Sequence, residues 1–160
     1  MYPNFTVSQE KSAADIFEGD FYRCNVFSST VASGSIVNFF VKTKAQGIAL
    51  RFEAEAGGLS QIAITEAASM ETAGTNQTVF NQNRISAKTS TASVTHGNSF
   101  SNGTVVLLDT IGNAVGGTKG GQAHQSMVVL AGSEHYNVGI TNISGGIINV
   151  YLSLNYTDVT

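Results

Sequence analysis

The stretch Ile48 to Ala56, IALRFEAEA, alternates without a break. Ile48, Leu50, Phe52, Ala54 and Ala56 share one parity, and Ala49, Arg51, Glu53 and Glu55 share the other. Successive side chains of an extended strand point to opposite faces, so this segment has one dry face and one wet face. The same period returns near the C-terminus. In IINVYLSLNY, Ile148, Val150, Leu152, Leu154 and Tyr156 fall together, and upstream, in HYNVGIT, so do Tyr136, Val138 and Ile140. Gly145 and Gly146 lie between these runs and accept the positive φ of a tight turn. The spacing predicts a C-terminal β-hairpin over Glu134 to Tyr156.

Further strands follow from composition and punctuation. SIVNFFVKT from Ser35 is apolar on both faces and suits a central strand. LSQIAITEA from Leu59 follows Gly57 and Gly58 and is expected to pair back on the strand before it. GTVVLLDTI from Gly103, HQSMVVLAG from His124 and a segment around Asp15 to Phe27 complete the set. Thr65 to Gly74 is too short and too polar for a helix and reads as a turn or loop. Short strands separated by Gly, Ser and Asn predict an all-β chain, an antiparallel β-sandwich with little or no helix. At 160 residues and 42% apolar content, one domain over residues 13–160 can bury a core. Residues 1–12 read as an extended N-terminal arm. Thr75 to Ser101 is a long polar excursion with sparse anchors at Phe80, Ile85, Val94 and Phe100, expected to be ordered around one short strand in TASVTH.

Charged residues make up only 12% of the chain, about half the usual share. The net charge is −3 and the eight basic residues form no run, which argues against nucleic acid. No apolar stretch approaches the roughly 18 residues of a membrane span. The N-terminus has no basic region followed by an apolar run, so the chain is expected to fold in the cytoplasm of the cell that makes it. Five Asn-x-Ser/Thr triplets, at Asn4, Asn76, Asn102, Asn142 and Asn155, follow from a composition rich in these residues.

The motif that invites a nucleotide is GNAVGGTKGG, Gly112 to Gly121. Gly112 and Gly117 have phosphate-loop spacing, but Thr118 precedes Lys119, the reverse of the required order. An apolar run of strand length follows, in place of a helix N-terminus. A β–β connection at the rim of a sheet is the better reading. His96, His124 and His135 show no metal-ligand spacing, and Cys24 stands alone. Glu53 and Glu55 share a strand face beside Arg51, which suits a solvated surface better than glycosidase chemistry. Tyr22, Tyr136 and Tyr151 are the aromatic candidates for a sugar site in a chain with no Trp, each with a simpler role on a sheet face or at an interface. No catalytic, cofactor or metal site is expected, and the chain does not read as an enzyme.

The order RFEAEA, IAITEA, NQNRISAKTSTASVTH, GTVVLLDT, GGTKGG and HYNVGITNISGGIINVYLSLNY, from about Phe39 to Tyr156, resembles small jelly-roll-like β-sandwich proteins of tailed bacteriophages, the head decoration or cement proteins. The runs at Asn81 to Ser90 and the ITNISGG…VYLSLNY ending carry most of the likeness. It implies a non-enzymatic virion protein on the outer capsid surface that bridges neighbouring major capsid subunits. Its implied partners are the major capsid protein and further copies of itself, as a dimer or trimer. The candidate contacts are Tyr2, Pro3 and Phe5 in the arm, Arg84 and Lys88 in the excursion, and Lys119 in the glycine loop. Deleting residues 2–10 tests the arm. The alternative is a carbohydrate- or receptor-binding module of a phage tail or fibre, since fold alone does not fix function.

Overall fold

The computed structural model describes residues 19–112 and 123–159. The expected arm, with Tyr2, Pro3 and Phe5, and the loop that carries Lys119 lie outside the described residues. The strands in chain order are β1 (Phe21–Val31), β2 (Ile36–Lys42), β3 (Ile48–Ala56), β4 (Ser60–Glu66), β5 (Ser69–Thr72), β6 (Thr75–Asn76), β7 (Phe80–Asn81), β8 (Ser93–His96), β9 (Ser99–Ser101), β10 (Thr104–Ile111), β11 (Ala123–Leu130), β12 (His135–Asn142) and β13 (Ile148–Asp158). No helix occurs among the described residues.

Two antiparallel sheets form the body. One has the order β11-β3-β13-β1-β7 and the other β10-β4-β12-β2-β8-β6; β5 and β9 make a separate ribbon. We call the first sheet I and the second sheet II. Among the eight long strands, every connection except β4 to β10 crosses from one sheet to the other. That is the wiring of a jelly roll, and the chain is an all-β, antiparallel, jelly-roll-like sandwich.

This wiring corrects two expectations about pairing. β12 and β13 occupy the places read as a C-terminal hairpin, yet β12 pairs with β2 and β4 while β13 pairs with β1 and β3. β4 likewise pairs with β12 and β10 rather than with β3. A glycine turn joins consecutive strands equally well within a sheet or across a sandwich corner. Sequence spacing specifies the turn and leaves the partner open.

The dry faces meet between the sheets. Ile48, Leu50, Phe52, Leu152 and Leu154 come from sheet I and Phe39, Ile62, Ile64, Val138 and Ile140 from sheet II, all fully buried. Tyr22 and Tyr156 pack tilted rings 5.6 Å apart at the β1–β13 seam. Tyr22 and Tyr136 are core residues, so they offer no surface for a sugar. β2 is buried on both faces, as its doubly apolar pattern requires: Asn38 and Phe40 point outward from sheet II but are covered there.

Residues 67–103, between β4 and β10, provide that cover. Asn98 lies over sheet II, and its carbonyl accepts from the Asn38 side chain (3.1 Å), which also donates to Asn137 Oδ1 (2.6 Å). The same excursion then binds both sheets along one flank. β7 pairs with Tyr22 and Arg23 of sheet I, and β8 pairs with Phe39 to Lys42 of sheet II. Between them, the Ser90 hydroxyl bonds the Tyr156 hydroxyl and Thr91 Oγ1 donates to Asp158 Oδ1 at 2.6 Å. The excursion is thus an ordered strap. The expected strand in TASVTH is β8, and three shorter ones, β6, β7 and β9, accompany it.

Candidate functional site

The flank opposite the strap ends differently. β10 is the last strand of sheet II and β11 the last of sheet I, and neither has a second partner among the described residues. A free edge exposes unpaired backbone donors and acceptors, and soluble proteins usually guard it with Lys, Pro or a cover. β10 holds neither Lys nor Pro, and its one charge is Asp109. Among the described residues, a bulge between Val105 and Leu107 is the one such device on β10.

The side chains on this flank are apolar and outward. Val105 opposes Thr65 and Leu108 opposes Ala63, which places both on the outer face of sheet II. Leu108 is 60% exposed and Val106, at the bulge, 48%. Met127 opposes Arg51 and Val129 opposes Ala49, which places these two on the outer face of sheet I, and Val129 is 69% exposed. Leu107 and Val128 turn inward and pack against the core. Single exposed apolar residues are ordinary; here Val105, Val106 and Leu108 line one edge and Met127 and Val129 the other, on the opposite outer faces of the sandwich. At the far end of β10, Gly112 takes φ +86°, and a Cβ there would stand 2.4 Å from the Gly58 carbonyl oxygen. The first glycine of the GNAVGGTKGG run is therefore demanded by close backbone approach.

A second feature lies on the outer face of sheet II, beside the β5–β9 ribbon. It is an open cleft of about 420 Å³ lined by Phe40, Lys42, Ser69, Met70, Ser93, Thr95 and His135. Lys42 sits in register between His135 and Ser93. The Phe40 and His135 rings meet at 5.7 Å in a tilted contact. The lining combines one ammonium, one imidazole and three hydroxyls with the exposed thioether of Met70, so both polar and apolar surface face a ligand, while Phe40 beneath is buried.

Several of the remaining candidates have partners within the chain. Lys88 Nζ pairs with Asp20 at 2.8 Å, and the Arg84 guanidinium lies 5.8 Å over the Phe80 ring. Both are on the strap, across the molecule from β10 and β11. Cys24 is buried, and burial pushes its thiol up to about 12, so it stays protonated and is a poor nucleophile. His96 packs edge-on against Phe39, and burial holds its pKa below the ordinary value. Tyr151 is half-buried and its hydroxyl accepts from Arg23 at 2.9 Å. Glu53 and Glu55 do share the wet face of β3, with Arg51 4.0 Å from Glu53. Among the described residues, no three His, Cys, Asp or Glu side chains gather as metal ligands would.

The open flank was missed in the sequence because Val105, Val106, Leu108, Met127 and Val129 look like core residues there. The signal was present in GTVVLLDTI, an apolar run on both parities within a strand that the topology puts at an edge. A scan of protein-family models finds no match to the chain, and a search of curated proteins finds no relative.

Proposed function

We propose that this chain is a non-enzymatic structural protein of a virion, a decoration or cement protein that binds the outer capsid surface and bridges neighbouring major capsid subunits. The observation that carries this reading is the open flank, where two free sheet edges present five apolar side chains. A surface of that kind is satisfied by another protein. The jelly-roll sandwich, the low share of charge and the resemblance of Phe39 to Tyr156 to phage decoration proteins support the same reading. Many copies on a lattice turn modest contacts into tight binding. Cryo-electron microscopy of particles from the source of this chain tests it. Sandwich-shaped density at capsomer junctions is the expected result, and bare shells would overturn it.

The cleft beside the β5–β9 ribbon favours a second reading, a carbohydrate- or receptor-binding module. Its volume is in the range of small-ligand sites, and Lys42, His135 and the three hydroxyls suit a polar ligand. A glycan array without a hit would remove this reading.

A further inference from the structure

We infer that the chain forms a two-fold dimer in which β10 pairs antiparallel with β10 of a second copy, joining the two copies of sheet II into one continuous sheet. This rests on reading the open flank as a contact surface, and it is independent of what the assembly binds.

The strap closes the opposite flank, so among the described residues β10 and β11 are the long strands with a side left unpaired. β11 is the poorer candidate. Its outward positions stand in register with Arg51, Glu53 and Glu55, so a strand added there meets charges close by. β10 offers seven uncharged residues and one carboxylate.

Charge and face together choose the register. The bulge puts Val105, Leu108 and Thr110 on the outer face, and Thr104, Leu107, Asp109 and Ile111 on the inner one. Directly opposed residues of an antiparallel pair share a face. A two-fold axis between Val106 and Leu107 sets Val105 against Leu108 of the second copy, both outer and both apolar. It also sets Thr104 against Asp109 of the second copy, both inner. The two Asp109 carboxylates then stand five residues apart along the strands, about 17 Å by the strand rise. An axis through Asp109 would place the carboxylates face to face, which costs stability. An axis through Leu108 would set each Asp109 against an apolar Leu107. The chosen register satisfies both free edges with backbone hydrogen bonds and forms two Val–Leu cross-strand pairs. A second copy fits this edge because the edge is complementary to itself.

The test uses the full chain at a series of concentrations in sedimentation equilibrium. The expected mass is twice the 16.7 kDa of one chain. Leu108→Lys should raise the dimer dissociation constant by at least about tenfold, because it sets an ammonium against Val105 of the partner. Leu108 is exposed in one chain, so circular dichroism and melting of the diluted variant should match the parent. The doubly substituted chain V105C/L108C should oxidise to a covalent dimer, since the two positions oppose each other across the axis at disulfide distance. V105C/T110C should not. The buried, protonated Cys24 does not interfere. A monomer at every concentration, a trimer, or a dimer insensitive to Leu108→Lys would overturn the inference. Dimers in solution alongside bare particles would remove the capsid reading and leave this pairing standing. Decorated particles with a monomeric protein would do the reverse.

Discussion

On one flank of the sandwich, residues 75–98 run from sheet II to sheet I and back, adding β7 beside β1 and β8 beside β2. On the other, β10 and β11 end the sheets with no further partner among the described residues and with exposed apolar side chains. Both flanks begin with the same physical problem, a row of unpaired backbone groups beside a dry core. The chain solves it internally at the strapped flank, with short strands, Asn-mediated hydrogen bonds and a closing ion pair. At the open flank the solution is left to another molecule. The strapped side is therefore closed by the chain's own residues, and the open side is the one on which the proposed contact rests.

That contrast makes predictions of decreasing size. Phe39 lies under β8 and is fully buried, so Phe39→Ala should cost about 3–5 kcal/mol in urea unfolding. Leu108→Ala, measured at low protein concentration, should stay within about 0.5 kcal/mol. Equal losses at the two positions would erase the distinction between the flanks.

Alkaline pH should act next, chiefly through groups in the core. Burial raises Cys24 from 9.0 to about 12 and Tyr136 from 10.0 to about 12, the latter also through its hydrogen bond to Glu66. Tyr156 is raised as well, again mainly by burial. The folded state favours the protonated forms and the unfolded chain ionises first. Their stabilisation is complete below about pH 9 and is lost as pH climbs towards about 12. Denaturant midpoints that stay flat from pH 8 to 11 would contradict this.

Asn38→Ala removes the donor to both Asn98 and Asn137 beneath the cover of sheet II, and should cost about 1–3 kcal/mol in thermal unfolding. Lys88→Ala breaks the exposed pair with Asp20, whose value lies at about 0–1 kcal/mol and falls further with salt. A loss above that range would mean that the strap depends on its charges rather than on its strands.

The legible part of this fold is what period two can encode. The dry face of β3, the dry face of β13 and the doubly buried β2 are written in their residues, and so is the all-β class. Partner choice is not, because a Gly-Gly turn serves a hairpin and a sandwich corner alike. The separation of β12 from β13 shows this. The strap was legible as an ordered excursion, but of its expected anchors Val94 is buried and Phe100 partly so, whereas Phe80 is 48% and Ile85 96% exposed. Its path across both sheets was not, because it depends on Asn81, Asn98 and Ser90 meeting residues some 60 positions away. The Lys88–Asp20 pair is of the same long-range kind, whereas Arg84 stacks on Phe80 only four residues away. The open flank was hidden for the opposite reason: an edge strand waiting for a partner has the composition of a strand that already has one.

The most direct test of the open flank is hydrogen–deuterium exchange followed across protein concentration. The account predicts that β10 amides gain protection as concentration rises through the dimer dissociation constant, while β8 amides on the strapped flank stay equally protected throughout. Protection of β10 that does not change with concentration, or that changes equally in β8, would contradict it.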